Sequence, residues 1–291
     1  MSVSGEKKQD DVTVKSIQKK KDAGVPITML TAYDFLLARY IDQSDIDMIL
    51  VGDSLAMVVL GHENTLHVTM DEMLHHCRAV ANGASRAMLI GDMPFLSYQI
   101  CISEAVRNAG RFLKEGYMDA VKLEGGQERL ECIRAIVQAG IPVMGHIGLT
   151  PQSVHKFGGF TVQAKTAESG KRLLDDAFAL QEAGCFSIVL ESVPDRLAAY
   201  VSQALRIPTI GIGAGAGCDG QVLVTQDLLG MFDRFKPKFV RQYANLKDIF
   251  VNAFKEFEQD VVSRSFPAEE HVFHISDEEW SMFYNLVEKN E

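Results

Sequence analysis

Chemically reactive side chains recur at the ends of short apolar runs along this chain. The runs are rich in Val, Ile and Leu and are bounded by Gly, Pro or Asp, a pattern that predicts buried parallel strands. The side chains that end or follow these runs are Asp53, Ser54, Asp92, Lys122, Glu124, His146 and Glu191. Because the active site of an α/β barrel is built at the carboxyl ends of its strands, we expect these side chains to converge in one pocket.

Three of these residues, Asp53, Asp92 and Glu124, are carboxylates at the ends of successive predicted strands. Two like charges about 4 Å apart repel by roughly 4 kcal/mol at an effective dielectric of about 20, so such a cluster requires a cation, protons or salt bridges. A ligand set made only of oxygen atoms favours a hard ion, Mg²⁺ first. The alternative is that each acid caps the helix that follows its strand, which is a common role for Asp.

Lys122, His146 and Glu191 could complete the site. Lys122 lies two residues before Glu124, so strand alternation points both into the barrel, where the lysine could bind a carboxylate or carbonyl oxygen of a substrate. Glu191 lies opposite the carboxylates in the barrel order and could act as a general base. Structural roles compete with these: an ion pair for Lys122, a hydrogen-bonded structural histidine for His146, and a salt bridge to Arg196 for Glu191.

The strand–helix alternation predicts the architecture. Eight alternations can be counted, which is the number that closes a barrel, with the first strand beginning at Ile27 and the eighth at Phe239-Val-Arg-Gln-Tyr243. We therefore expect residues 1–264 to form a single α/β domain, a (β/α)8 TIM barrel with a short N-terminal helical segment. Residues 265–291 are expected to form a C-terminal tail with an extra helix.

Composition limits the classes of function. The chain has 291 residues, 47% hydrophobic and 23% charged, with a net charge of -10, which argues against a nucleic-acid binder. No apolar stretch approaches the length of a membrane span, and Met1 to Asp11 is unlike a signal peptide, so we expect a cytoplasmic protein. Five scattered cysteines without a Cys-x-x-Cys pair predict buried free thiols and no disulfide or zinc framework.

Two further motifs give only weak evidence about function. The tetrad Gly52-Asp-Ser-Leu55 invites comparison with serine hydrolases, but no Asp-x-x-His pair follows it, so a Ser-His-Asp hydrolase is rejected. The glycine-rich stretch Gly211 to Gly217 lacks the Gly-x-Gly-x-x-Gly spacing and lies near the seventh strand, so it is only weak support for a dinucleotide site.

Longer motifs carry a resemblance to a known family. In chain order they are Thr31-Ala-Tyr-Asp34, Leu50-Val-Gly-Asp-Ser-Leu55, Gly91-Asp-Met-Pro-Phe95, Val121-Lys-Leu-Glu-Gly-Gly126, Gly145-His-Ile-Gly-Leu-Thr-Pro-Gln152, Phe157-Gly-Gly159, Leu190-Glu191 and Ile210-Gly-Ile-Gly-Ala-Gly215. From about Val14 to Val262 the chain closely resembles the ketopantoate hydroxymethyltransferase family. The resemblance implies a barrel of the phosphoenolpyruvate mutase/isocitrate lyase type.

The resemblance also implies an activity. Members transfer a hydroxymethyl group from 5,10-methylenetetrahydrofolate to α-ketoisovalerate (3-methyl-2-oxobutanoate), giving ketopantoate in the first step of pantothenate biosynthesis. By resemblance, Mg²⁺ is held by Asp53, Asp92 and Glu124, and Glu191 accepts the proton. The contacts to the keto acid are assigned to Asp53, Ser54, Asp92, Lys122 and His146. The family forms homo-oligomers, typically decamers.

Two other classes of function remain open. A Mg²⁺-dependent carbon–carbon lyase or a phosphonomutase of the same barrel superfamily would use the same metal site. Lyases of that superfamily carry a catalytic cysteine in the stretch that corresponds to 121–126, and this chain has none there. A non-catalytic metal-binding scaffold is the second alternative, and the convergence of Lys122 with Glu191 makes it the weaker one.

Overall fold

The computed structural model describes residues 11–154, 159 and 161–288, and within them eight parallel strands close into a barrel. The strands are β1 Ile27–Thr31, β2 Met48–Val51, β3 Met88–Asp92, β4 Ala120–Glu124, β5 Val143–Gly148, β6 Ser187–Glu191, β7 Thr209–Ile212 and β8 Gly220–Leu223. Their spatial order follows the chain, and β8 pairs with β1, which sets Val222 beside Met29. The predicted (β/α)8 barrel is confirmed.

Helices follow most of the strands, and local start signals explain where several begin. They are α1 Val14–Asp22, α2 Phe35–Asp42, α3 Leu55–Val58, α4 Met70–Gly83, α5 Ile102–Lys114, α6 Leu130–Gln138, α7 Ala167–Glu182, α8 Asp195–Ala204, α9 Thr225–Leu228, α10 Leu246–Ser263 and α11 Asp277–Glu288. At α4 a capping box forms: the backbone N–H of Thr69 donates to Glu72 Oε2 at 2.8 Å, and the Thr69 hydroxyl accepts from the Glu72 backbone N–H in return.

Two apolar cores place the reactive residues. One lies between the barrel and its helices, and the other fills the barrel with side chains that include Met29, Met48, Ile90, Met144 and Ile210. Strand alternation brings the next inward side chain two residues later, nearer the carboxyl ends of the strands. The polar side chains therefore form a layer on top of a packed apolar floor.

The eighth strand is not where the sequence predicted it. The structure uses Gly220–Leu223, whereas in the predicted strand Phe239–Tyr243 the backbone N–H of Val240 donates to Pro237 O in a turn. A Cβ on Gly220 would lie 2.5 Å from Ile27 O, so the strand needs a glycine in order to approach β1. A four-residue strand that begins with glycine gives little signal in sequence.

The chain divides into two compact units, and the second begins at Ala244 rather than after the expected boundary at residue 264. It contains α10 and α11, and neither helix buries a residue. None of the helices in the described part of the chain is long and apolar enough to cross a lipid bilayer. The motif Phe157-Gly-Gly159 lies largely outside the described residues.

Candidate active site

A cavity of about 420 Å³ opens at the carboxyl ends of the barrel strands. That volume lies within the range of roughly 300–1,000 Å³ that is usual for small-molecule sites. All seven reactive residues singled out in the sequence line this cavity: Asp53, Ser54, Asp92, Lys122, Glu124, His146 and Glu191. The expected convergence of these side chains therefore occurs.

The turn after β2 positions Asp53 and Ser54. The backbone N–H of Asp53 donates to Asp92 Oδ2 at 3.1 Å, which ties the ends of β2 and β3 together. The Ser54 hydroxyl shares a 2.7 Å hydrogen bond with the phenol of Tyr33, which is itself buried after β1. Asp53 is buried and accepts a hydrogen bond from the Gln152 side chain at 3.0 Å, and it does not cap the helix that follows, because the cap position of Leu55–Val58 is Ser54.

Strand register pairs Asp92 with Lys122. The two residues are neighbours across β3 and β4, and Lys122 Nζ lies 2.8 Å from Asp92 Oδ1, both side chains being at most 5% exposed. Burial works against the ammonium, but the charges of Asp92, Glu124 and Asp53 outweigh it and raise the pKa of Lys122, so the amine stays charged. Lys122 therefore forms the ion pair and also lines the cavity, and its contact with a substrate stays a prediction.

The next register pair is Glu124 with His146, and the imidazole continues to Glu191. His146 Nδ1 lies 3.4 Å from Glu124 Oε1 and 3.2 Å from Lys122 Nζ, and His146 Nε2 lies 3.2 Å from Glu191 Oε2. Burial and Lys122 oppose a charged imidazole, but the contacts with Glu124 and Glu191 prevail and raise the pKa of His146 to about 9. A protonated His146 therefore bridges two carboxylates.

Gln152 was missed by the sequence analysis, although it connects most of the site. Its side-chain amide donates to Asp53 Oδ2 and to Met93 O, each at 3.0 Å, and its carbonyl accepts from the Tyr98 hydroxyl at 2.7 Å. Its backbone N–H donates to Glu124 Oε2 at 3.0 Å. Gln152 was quoted as part of a motif, but nothing in that motif predicts contact with residues 28 and 99 positions away.

The buried carboxylates have the chemistry that a hard cation needs. Burial first, and then the charge of Glu124, raises the pKa of Asp53 to about 6, and burial raises that of Asp92 to about 6 despite Lys122. Asp92 Oδ1 and Glu124 Oε1 are buried without a well-aligned hydrogen bond, so each has a lone pair free for another partner. The oxygen donors and their excess negative charge fit Mg²⁺.

The spacing of these carboxylates differs from a finished metal site. Among the described residues, no group of three or more His, Cys, Asp or Glu side chains is close enough to hold a metal ion as it stands. Gln152 and Lys122 lie between or beside the acids and satisfy part of their charge. Side-chain rotation would therefore have to bring Asp53, Asp92 and Glu124 together.

The outer part of the cavity is built by residues that the sequence analysis did not single out. Asp227 on α9 lines it, with Phe232, Phe235, Lys238 and Phe239 from the segment that follows. Asp227 comes soon after β8, as the other acids come after their strands, but the misplaced eighth strand concealed that relation. The correct strand assignment would have found it.

Sequence comparison with known proteins indicates one enzyme family. A family model described as ketopantoate hydroxymethyltransferase matches residues 11–269. A 3-methyl-2-oxobutanoate hydroxymethyltransferase of Syntrophomonas wolfei is 57% identical over 273 residues, which is 94% of this chain and 99% of that protein. The enzyme of the same name from Syntrophus aciditrophicus is 54% identical over 271 residues, 93% of this chain and 100% of that protein.

Solved structures agree on the fold. A phosphonopyruvate hydrolase, determined in complex with oxalate and Mg²⁺, superposes with a TM-score of 0.57 at 13% identity, covering 89% of this chain and 93% of its own. A 2,3-dimethylmalate lyase of the phosphoenolpyruvate mutase/isocitrate lyase superfamily gives 0.55 at 16% identity, covering 95% of each chain. Those two likenesses concern the fold alone. The family-model match and the more than 50% identity to full-length relatives show that the chain belongs to the ketopantoate hydroxymethyltransferase family.

Proposed function

We propose that this protein transfers a hydroxymethyl group from 5,10-methylenetetrahydrofolate to 3-methyl-2-oxobutanoate and so makes ketopantoate, the first step of pantothenate biosynthesis. The observation that carries the proposal is the chain of contacts Asp92–Lys122–His146–Glu191 in one cavity of a member of this family. It supplies a fixed cation for an anionic substrate and a carboxylate for proton abstraction.

The proposed transfer consumes one water molecule besides its two substrates. The keto acid loses its C3 proton, and C3 forms a bond to the bridging methylene carbon of the donor. Both carbon–nitrogen bonds of that carbon break, and the two nitrogen atoms released take up protons. One water molecule supplies the hydroxyl group. The protein must therefore remove one carbon-bound proton and bring two substrates together.

Asp53, Asp92 and Glu124 would hold Mg²⁺ in this proposal. At these residues the ion would supply Lewis-acid polarisation of the 2-oxo acid carbonyl, which would make the C3 proton more acidic. Lys122 stays charged, because the surrounding acids raise its pKa, and it attracts the substrate carboxylate. The Ser54 hydroxyl, oriented by Tyr33 at 2.7 Å, is a hydrogen-bond donor to the same substrate.

Glu191 is assigned as the base that takes the C3 proton. It lies at the end of β6, lines the cavity, and its Oε2 atom contacts His146 Nε2 at 3.2 Å. The raised pKa of His146 keeps that imidazole charged at neutral pH, and its contact with Glu191 Oε2 holds the Glu191 side chain in place. His146 is thus a positioning residue: it lies between Lys122, which is proposed to bind the substrate, and Glu191, the proposed base.

A product assay tests the proposal. Purified protein is mixed with 3-methyl-2-oxobutanoate, 5,10-methylenetetrahydrofolate and Mg²⁺, with EDTA in the control, and the reaction is followed by NMR. Ketopantoate that forms only with the metal supports the reaction and the cation together. If no ketopantoate forms while the C3 proton still exchanges with D2O, the base is right and the donor is wrong.

The alternative activities predict different products. A carbon–carbon lyase would cleave a 2-hydroxy acid to a 2-oxo acid, and a phosphonomutase would interconvert a phosphonate and a phosphate ester. No described residue specifically favours either, since the stretch 121–126 lacks a cysteine and relatives more than 50% identical carry the transferase name. Neither product is expected in the same assay.

We further propose a cytoplasmic location and a homo-oligomer, a decamer by family resemblance.

A further inference from the structure

Two charged side chains line the cavity and have no role in the chemistry proposed above. Asp227 and Lys238 both belong to residues 225–239, which we call the outer segment, and which follow β8. Within residues 11–154 and 161–288, neither side chain makes a hydrogen bond or an ion pair. A half-buried carboxylate and a lysine facing the same cavity without partners are suited to bind polar groups of a ligand.

The outer segment is fixed to the barrel at three points. The backbone N–H of Thr225 donates to Thr31 Oγ1 at 3.0 Å, at its start. In its middle, Arg234 donates to the carbonyl oxygens of Gly61 and His62 at 3.0 and 3.2 Å. At its end, the ring of Phe239 lies against Gly213, where a Cβ would be 2.7 Å away. The backbone that carries the cavity-facing side chains of the segment is therefore held against the barrel.

Asp227 is half-buried and lines the cavity. Burial alone raises its pKa to about 6, so at neutral pH it is a carboxylate with an unsatisfied need for N–H donors. The negative charge of Asp227 acts electrostatically on the buried Tyr33 phenol, but the phenol hydroxyl already shares a hydrogen bond with the Ser54 hydroxyl. A ligand edge carrying two adjacent N–H groups would satisfy both oxygens of Asp227.

The rest of the outer segment offers flat apolar surface and one positive charge. Phe232 and Phe235 form an edge-to-face pair with ring centroids 5.4 Å apart, and Phe239 adds a third ring. Lys238 is exposed and lines the same cavity. The inner end of the cavity, by contrast, is lined by acids, with Lys122 and His146 already engaged by them.

We propose that the outer segment binds the one-carbon donor: Asp227 accepts hydrogen bonds from the 2-amino-4-oxopyrimidine edge of its fused ring, and Lys238 pairs with its carboxylate tail. The phenylalanine rings contact the planar aminobenzoyl part between these ends. This inference rests on the proposed function, because a reduced folate combines a donor-rich ring edge, a planar middle and an anionic tail. The five-carbon keto acid has neither a donor-rich ring edge nor a planar middle part.

Two substitutions and two ligands test the inference. Binding of tetrahydrofolate is measured by equilibrium dialysis, and the KM for the methylene donor is measured in the product assay. Asp227→Asn removes the charge-assisted hydrogen bonds and is expected to raise Kd and KM by about tenfold or more. Lys238→Met is expected to raise both by about fivefold for donors with a glutamate tail, and to have no effect on the methyl amide of the pteroate analogue, which carries no carboxylate.

Lys236→Met is the matched control, since Lys236 donates to Gln242 at 3.1 Å and does not line the cavity. It is expected to match the wild type in every measurement. Exchange of the keto acid C3 proton in D2O needs no donor and reports whether the inner site of each variant is intact.

The outcomes separate the two proposals. If wild-type protein binds tetrahydrofolate but makes no ketopantoate, the proposed function fails, and the Kd of the variants still decides the donor site. If wild-type protein does not bind tetrahydrofolate, or if Asp227→Asn and Lys238→Met bind it as the wild type does, the inference is overturned. An equal loss with the methyl amide of the pteroate analogue would overturn the role of Lys238.

Discussion

Individual carboxylates at the inner end of the cavity are held in an unfavourable state at neutral pH. Asp53 and Asp92 are almost fully buried, and burial raises the pKa of each to about 6. A carboxyl with a raised pKa binds its proton more tightly in the folded than in the unfolded chain, so its contribution to stability is lost as pH rises through about 6. A cation would replace the missing protons above that pH.

Metal-free protein should therefore gain stability from Mg²⁺ mainly above pH 6. At about 100 times its Kd, Mg²⁺ contributes about 2.7 kcal/mol, and we expect a rise in Tm of roughly 5 °C at pH 7.5. At pH 5 protons already occupy the carboxylates, so the rise should be within about 1 °C. Calorimetry of EDTA-treated protein, with NaCl at equal ionic strength as the control, measures both values. Equal shifts at the two pH values would contradict the argument.

At Glu191, an effect on proton abstraction can be measured separately from an effect on binding of the keto acid. Glu191→Gln keeps the size of the side chain and a carbonyl oxygen near His146 Nε2, but it removes the proposed base. Loss of a general base costs about 10²–10⁴ in rate, so kcat should fall in that range while the Kd of the keto acid changes by less than about threefold. The NMR assay gives the first value and isothermal titration calorimetry the second. An active Glu191→Gln enzyme would remove the assignment.

Secondary-structure elements explain how far sequence alone could go. Strand ends carrying Asp53, Asp92, Glu124 and Glu191 were predictable, because short apolar runs and the barrel rule place their polar ends together. The contacts of Gln152 were not, since they depend on how a loop returns to the barrel mouth. The outer segment was missed for a related reason: the aromatic run Phe239–Tyr243 resembled a strand more than the glycine-led β8 did.

Close packing behind β3 gives an element-scale prediction. A Cβ on Gly91, next to Asp92, would lie 2.3 Å from the Phe112 ring on α5, so Gly91→Ala must displace either the ring or the strand. We expect a loss of about 1–3 kcal/mol in the free energy of unfolding. The Mg²⁺ concentration for half-maximal activity should also rise, because Asp92 moves with its strand.

Gly110, on the same helix as Phe112, is the matched control. A Cβ there meets nothing within 4 Å, so Gly110→Ala should stabilise the protein by about 0.5–1 kcal/mol through helix propensity. Urea denaturation of both variants measures the two effects, which should have opposite signs. A Gly91→Ala protein as stable as the wild type would show that β3 and α5 are not packed as described.

At the scale of the whole molecule, the second unit carries apolar side chains that its own fold leaves uncovered. On α10, Phe250, Phe254 and Phe257 follow one another at helical spacing, and all are at least 39% exposed. Exposed apolar stripes of this kind mark interaction surfaces. The proposed homo-oligomer gives them a partner, a second copy of this chain.

Sedimentation of a single substitution tests that assembly. The wild-type chain is expected to sediment as a species several times the mass of one chain, and Phe254→Asp to shift it toward the monomer, because a carboxylate cannot be buried at an apolar interface without a large cost. Asn252→Asp adds the same negative charge two residues away on α10, off the phenylalanine stripe, and should leave the assembly intact. The proton-exchange assay should remain active in both variants, since the cavity is lined by residues of the first unit. A monomeric wild type, or an unchanged Phe254→Asp assembly, would mean that this stripe is not the contact between copies.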